Sequence, residues 1–175
     1  SVSFSGLGAP SEADMQDIAN LPKLKYLSLF NSEPLSDEAI RSLEQIETLE
    51  RLTLGALHGS LHRVPLLTNF KNLQALTLSA NGRRKKLTAE EIQQTIALLK
   101  PLKDMPNLRS LNITGNDMQD EVLYSIAEFK NIKQIYVANP RFLSEEAIQR
   151  FRDLRPDVDV SQSGVSYNVV LYDDD

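Results

Sequence analysis

A few places in this chain carry residue types and spacings that could do chemistry. His58 and His62 stand four apart, the spacing that would put two imidazoles on one helix face for a metal ion. Gly59 lies between them and Pro65 follows closely, both poor in a helix, and no carboxylate stands nearby to complete a ligand set. Two loop histidines without a metal are therefore expected. Gly6-Leu7-Gly8 lacks the third glycine and the lysine of a phosphate-cradling loop. Asn112-Ile113-Thr114 has the form of a glycosylation acceptor, yet it falls inside a strand pattern rather than a surface loop. The basic run Arg83-Arg84-Lys85-Lys86, with Arg63 and Arg141 in equivalent loops, could draw an anionic partner, a phosphate or an RNA backbone. No aromatic residues interleave that run for base stacking, and such a run in a loop is ordinarily just solvated. Without any cysteine there is no thiol nucleophile. The expectation is a non-enzyme with no catalytic residue, no cofactor and no metal.

Composition narrows the class. Lys plus Arg number 19 against 24 Asp plus Glu, and this net charge of −5 argues against a surface that seeks nucleic acid. The absence of cysteine favours a reducing compartment, so an intracellular, cytoplasmic setting is expected. No apolar run approaches the roughly 18 residues of a membrane span. The chain opens on Ser1, and Val2 and Phe4 already read as a strand, as if it were a piece of a longer protein.

The elements that must position any site are written in a recurring unit, L-x-x-L-x-L. It occurs as Leu24, Leu27, Leu29; Leu49, Leu52, Leu54; Leu73, Leu76, Leu78; Leu108, Leu111, Ile113; and Ile132, Ile135, Val137. The steps are 25, 24, 35 and 24 residues, a period that marks stacked units able to bury their apolar faces only against one another. Val2 and Phe4 match Leu27 and Leu29, and Val158 and Val160 match Ile135 and Val137, so seven parallel strands joined by six helical segments are expected. Each strand is followed by apolar residues at helical spacing, for example Ile40, Leu43, Ile46 and Ile148, Phe151, Leu154. Ser11, Ser36, Thr88 and Ser144 sit where a hydroxyl would cap the helix, with acidic residues next, and Thr88 with Glu91 makes a capping box. The third helical segment, near Pro65, reads as short, and the fourth as prolonged through Ile92, Ile96 and Leu99 until Pro101 interrupts. Asn81 and Asn116 close the units L-x-x-L-x-L-x-x-N, where buried amides could form a ladder along the turns.

In two stretches the pattern is most complete: Leu73-Gln74-Ala75-Leu76-Thr77-Leu78-Ser79-Ala80-Asn81 and Leu108-Arg109-Ser110-Leu111-Asn112-Ile113-Thr114-Gly115-Asn116. On these, and on the recurrent L-[ST]-x-E helix start, the chain resembles leucine-rich repeat proteins of the ribonuclease-inhibitor-like and F-box-associated types. The resemblance implies an α/β solenoid, a right-handed horseshoe with a concave parallel sheet and convex helices, whose concave face recognises proteins. It would span residues 1–160 in six to seven repeats, with 161–175 forming a cap strand and an acidic tail. The same resemblance admits a regulatory scaffold for an enzyme, of GTPase-activating or ubiquitin-ligase substrate-receptor type. Alternation along the strands sets Tyr26, Phe30, Arg51 and Tyr136 on the outward face, where Tyr and Arg anchors would carry the binding of a partner protein. The last strand would add Asp157, Asp159 and Ser161 to that face.

Overall fold

The computed structural model describes residues 1–6, 10–31, 35–55, 64–79, 86–114, 118–138 and 142–163. Seven strands follow one another in chain order across a single parallel sheet: β1 (Val2–Gly6), β2 (Tyr26–Asn31), β3 (Arg51–Leu54), β4 (Ala75–Ser79), β5 (Ser110–Thr114), β6 (Gln134–Ala138) and β7 (Asp159–Ser163). Between them run α1 (Glu12–Ala19), α2 (Asp37–Leu43), α3 (Val64–Leu67), α4 (Ala89–Leu99), α5 (Asp120–Ile126) and α6 (Glu145–Leu154). The helices pack side by side in the same order as the strands. The chain is thus an α/β fold, with helices layered against one face of a parallel sheet.

Inward residues explain why each element forms. Leu27, Leu29, Leu52, Leu54, Leu76, Leu78, Leu111, Ile113, Ile135, Val137 and Val160 are all buried, in one core with Met15, Ile40, Leu43, Val122, Ile126, Ile148 and Phe151 from the helices. Each such side chain contributes about 1.5–3 kcal/mol on burial. Helices of 4 to 11 residues are too short to hold alone in water, so this packing, not helix propensity, maintains them.

The helix starts follow the capping pattern. Ser11, Ser36, Thr88 and Ser144 accept from the N–H groups of Asp14, Ala39, Glu91 and Ala147. Thr88 with Glu91 closes a capping box, and Ser11 with Asp14 closes a second that Asp14 completes in place of Glu. Bonding to Ser11 holds the Asp14 carboxyl below its ordinary range. Ser144 does double work, because its hydroxyl also donates to Asp120 Oδ2 at 2.8 Å while its N–H donates to Oδ1 at 2.8 Å, tying the start of α6 to that of α5. α3 is a single turn, and α4 gives way to a 3₁₀ segment, Lys100–Asp104, with Pro101 at its start. The predicted Asn ladder at Asn81 and Asn116, and the cap and tail from residue 164 on, lie outside the described residues.

The last strand departs from the expected register. Val160, not Val158, pairs with Ile135, and Gln162 stands opposite Val137. Val158 instead takes the place held by Ile132 one unit earlier, its N–H donating to the Arg155 carbonyl as that of Ile132 does to Phe129. One residue fewer separates turn from strand here, so matching the valines by type shifted the register by two. Asp157 therefore leaves the outward face. It sits in the turn, held by Arg155 Nε at 2.8 Å, Arg155 Nη2 at 3.0 Å and Lys133 Nζ at 2.9 Å.

A run of side-chain bonds along the edge where the strands begin was not foreseen. Thr48 Oγ1 donates to the Leu24 carbonyl at 2.8 Å, Asn72 Nδ2 to Glu47 at 2.7 Å, Asn107 Nδ2 to Lys71 at 2.8 Å and Asn131 Nδ2 to Met105 at 3.1 Å. Each satisfies a turn carbonyl of the preceding unit that neither helix nor sheet reaches. At the far end Arg155 takes over, donating through Nη1 to the carbonyls of Ala127 and Phe129 and through Nη2 to that of Ile132.

Two expected outcomes follow from this packing. Gln119 occupies the capping position of α5 but makes no cap bond, and neither polar atom of its fully buried amide has a hydrogen-bond partner among the described residues. Gln119→Met keeps the volume and removes the desolvation cost, so urea unfolding is expected to show a gain of about 1 kcal/mol. Asp157 is held well below its ordinary range, first by its bonds to Arg155 and then by Lys133. A carboxylate depressed in the folded state stabilises fully above the unfolded value of about 3.9 and loses its contribution as pH falls below it. Thermal melts of Asp157→Asn across pH 2–7 are expected to lie below wild type at neutral pH and to converge with it in acid.

Candidate interaction face of the sheet

The face turned away from the helices presents its residues in rows across the strands. One row is Tyr26, Arg51, Ala75, Ser110, Gln134 and Asp159; the next is Ser28, Thr53, Thr77, Asn112, Tyr136 and Ser161. Phe30, Gly55 and Ala138 belong to a third. Most of these positions are small and half-buried, which leaves the middle of the sheet low between larger residues. Ser110 Oγ donates to Gln134 Oε1 at 3.3 Å within the first row. Asn112 Oδ1, enclosed between the strands that carry Thr77 and Tyr136, has no partner among the described residues.

Two of the four anchors expected from the sequence meet directly. Tyr26 and Arg51 are direct cross-strand partners on β2 and β3, and Phe30 lies four residues beyond Tyr26 on the same face. Tyr136 does not join them: it stands on β6, four strands from β2, or about 19 Å at roughly 4.8 Å per strand. The anchors therefore form one adjoining pair, with Phe30 about 13 Å along the same strand and Tyr136 across the sheet.

Phe30 owes its position to Gly55. The Gly55 N–H donates to the Leu29 carbonyl at 2.8 Å, carrying the ladder one residue past β3 and setting Gly55 beside Phe30. A Cβ at Gly55 would come within 2.8 Å of three ring carbons of Phe30, so the ring lies across the glycine backbone. Held flat there, it remains 42% exposed, one of three large apolar side chains so exposed among the described residues; Leu21 and Leu154 are the others. Sequence reading flagged Phe30 but missed its glycine seat. The signal was present in the 25-residue step, which aligns Gly55 with Phe30 as it aligns Arg51 with Tyr26.

The charges divide into two kinds. Below the first row, Lys25 pairs with Glu50 at 2.9 Å, and Lys133 and Arg155 share Asp157. Lys25 and Glu50 border a polar groove of about 380 Å³ with Thr48, Asn72 and Asn107, whose donors are already spent on the turn carbonyls. Arg51 and Asp159, by contrast, are exposed and have no ion-pair or hydrogen-bond partner among the described residues.

Of the basic strip, Lys86 is exposed just ahead of the Thr88 cap, while Arg63, Arg83, Arg84, Lys85 and Arg141 lie outside the described residues, as do His58 and His62. No three His, Cys, Asp or Glu side chains converge as a metal site among the described residues, and no described helix is long and apolar enough to cross a membrane. No family model and no curated protein matches this chain.

Gly55→Val tests the seat of Phe30. The added branch displaces the ring toward solvent, with an expected stability loss of about 1 kcal/mol. In a Phe30→Trp background the same change should shift indole emission to the red, whereas unchanged emission would place the ring elsewhere.

Proposed function

We propose that this chain is a leucine-rich repeat solenoid of horseshoe form, acting inside the cell, that binds a partner protein on the concave face of its sheet. The observation that carries this reading is the exposed Phe30 ring, seated on Gly55 on the same two strands as the Tyr26–Arg51 pair, on a broad sheet face that no described helix covers. An aromatic next to an unpaired guanidinium, as Tyr26 is to Arg51, is the composition that dominates binding energy at protein interfaces. The regular order of seven parallel strands and the recurring leucine unit support the solenoid. A frame held by side-chain bonds from unit to unit supports binding without large rearrangement, which lowers the ordering cost of association.

Affinity capture followed by mass spectrometry tests the reading, comparing the chain with a Tyr26, Phe30, Arg51 and Tyr136 to Ala variant of confirmed fold. The expected result is a partner captured by the native chain and lost by the variant. Since Tyr136 stands apart, restoring it alone should recover little of the binding, while restoring Phe30 should recover most. A partner retained in full by the quadruple variant would overturn the reading.

A further inference from the structure

Resting on that reading, the two unpaired charges of the sheet face define what kind of segment it takes. Arg51 on β3 and Asp159 on β7 belong to the same row, Tyr26, Arg51, Ala75, Ser110, Gln134, Asp159, and are the charged residues of that row. Four strand steps separate them, about 19 Å. Charges close by are neutralised, Glu50, just before Arg51, by Lys25 and Asp157, two residues before Asp159, by Lys133, whereas Arg51 and Asp159 have no partner among the described residues. Between them the row holds Ala75, Ser110 and Gln134, all neutral. In the adjoining row the Thr53 and Thr77 hydroxyls are half-buried and make no hydrogen bond within the described residues.

We propose that this face binds an extended segment of a partner protein that crosses the strands, with a carboxylate against Arg51 and, about six residues away, a Lys or Arg against Asp159. The charges set the two ends, because a segment with the opposite arrangement would place like charges together at both. The spacing sets the length, since an extended chain advances about 3.3 Å per residue and covers 19 Å in about six. The free hydroxyls select an extended backbone over a helix: an extended segment brings unpaired N–H and C=O groups for Thr53 and Thr77 to meet, while a helix has already used its own. Tyr26, the cross-strand partner of Arg51, gives the acidic end a ring to pack on, and Phe30 lies further along the same strand.

A random twelve-residue peptide library displayed on phage, selected on the full chain, tests the proposal. The expected peptides carry Asp or Glu near an apolar residue and Lys or Arg about six positions away. They should bind about tenfold less tightly to Arg51→Glu and to Asp159→Lys, each checked for native unfolding behaviour. Selection on Arg51→Glu should enrich peptides basic at both ends, and selection on Asp159→Lys peptides acidic at both. Thr77→Arg, which fills the middle of the face, separates this proposal from the reading beneath it. Peptides lost on Thr77→Arg but indifferent to both charge reversals would overturn the charge-paired segment and leave face binding intact. Peptides that bind Thr77→Arg undiminished would overturn both, and a selection that enriches nothing would overturn the segment.

Discussion

A strand of four to six residues and a helix of four to eleven do not keep their shape in water alone, and here each is kept by leucines buried against the units on either side. The inward column from Leu27 through Leu52, Leu76, Leu111 and Ile135 to Val160 runs across β2 to β7, so each inner unit both covers and is covered. Departures from regularity are tolerated where this column is undisturbed. The ten or so extra residues before β5 are taken up in α4 and the 3₁₀ segment, which still return Leu102, Met105 and Leu108 to the core. One residue fewer separates turn from strand before β7, yet Val160 still fills the column.

Stacking units in this way leaves turn carbonyls that neither helix nor sheet bonds, and the edge side chains take them up. Thr48, Asn72, Asn107 and Asn131 each reach back one unit, and Arg155, with five donors in a fixed fork, serves three carbonyls and Asp157 together. A neutral hydrogen bond of this kind contributes about 1 kcal/mol, less than one buried leucine, so these bonds set orientation more than stability. Their consequence for function is indirect. They fix each strand relative to the next, and with it the spacing between Arg51, Phe30 and Asp159 on the opposite face. At the start of α5, by contrast, the buried Gln119 side chain makes no hydrogen bond among the described residues, and only its backbone carbonyl is used, by the Leu123 N–H.

Much of the frame was legible because its causes are local or periodic. Hydroxyls ahead of acidic pairs announced the helix starts at Ser36, Thr88 and Ser144, and Pro65 and Pro101 marked the short and interrupted helices. The outward positions of Tyr26, Phe30 and Arg51 followed from alternation alone. What escaped were contacts between residues about 25 apart in sequence and side by side in space. The polar residue ahead of each unit's first leucine or isoleucine, in Thr48-Leu49, Asn72-Leu73, Asn107-Leu108 and Asn131-Ile132, was visible as a pattern without its purpose. The valines at 158 and 160 misled because residue type matched and turn length did not.

For this protein, composition and periodicity by themselves determined the order of elements, the inward column and the face on which the large outward residues stand, since alternation and helical spacing are properties of the backbone. Only the tertiary structure decided which outward residues are neighbours. Tyr26 and Arg51 meet, Phe30 rests on Gly55, and Tyr136 stands four strands off, because those relations depend on which strands lie side by side and in what register. It also decided which charges remain free: Lys25, Glu50, Lys133 and Asp157 find partners across strands, while Arg51 and Asp159 face solvent with none among the described residues. Charge pairing is a matter of distance in space, and a linear chain carries that only through the fold.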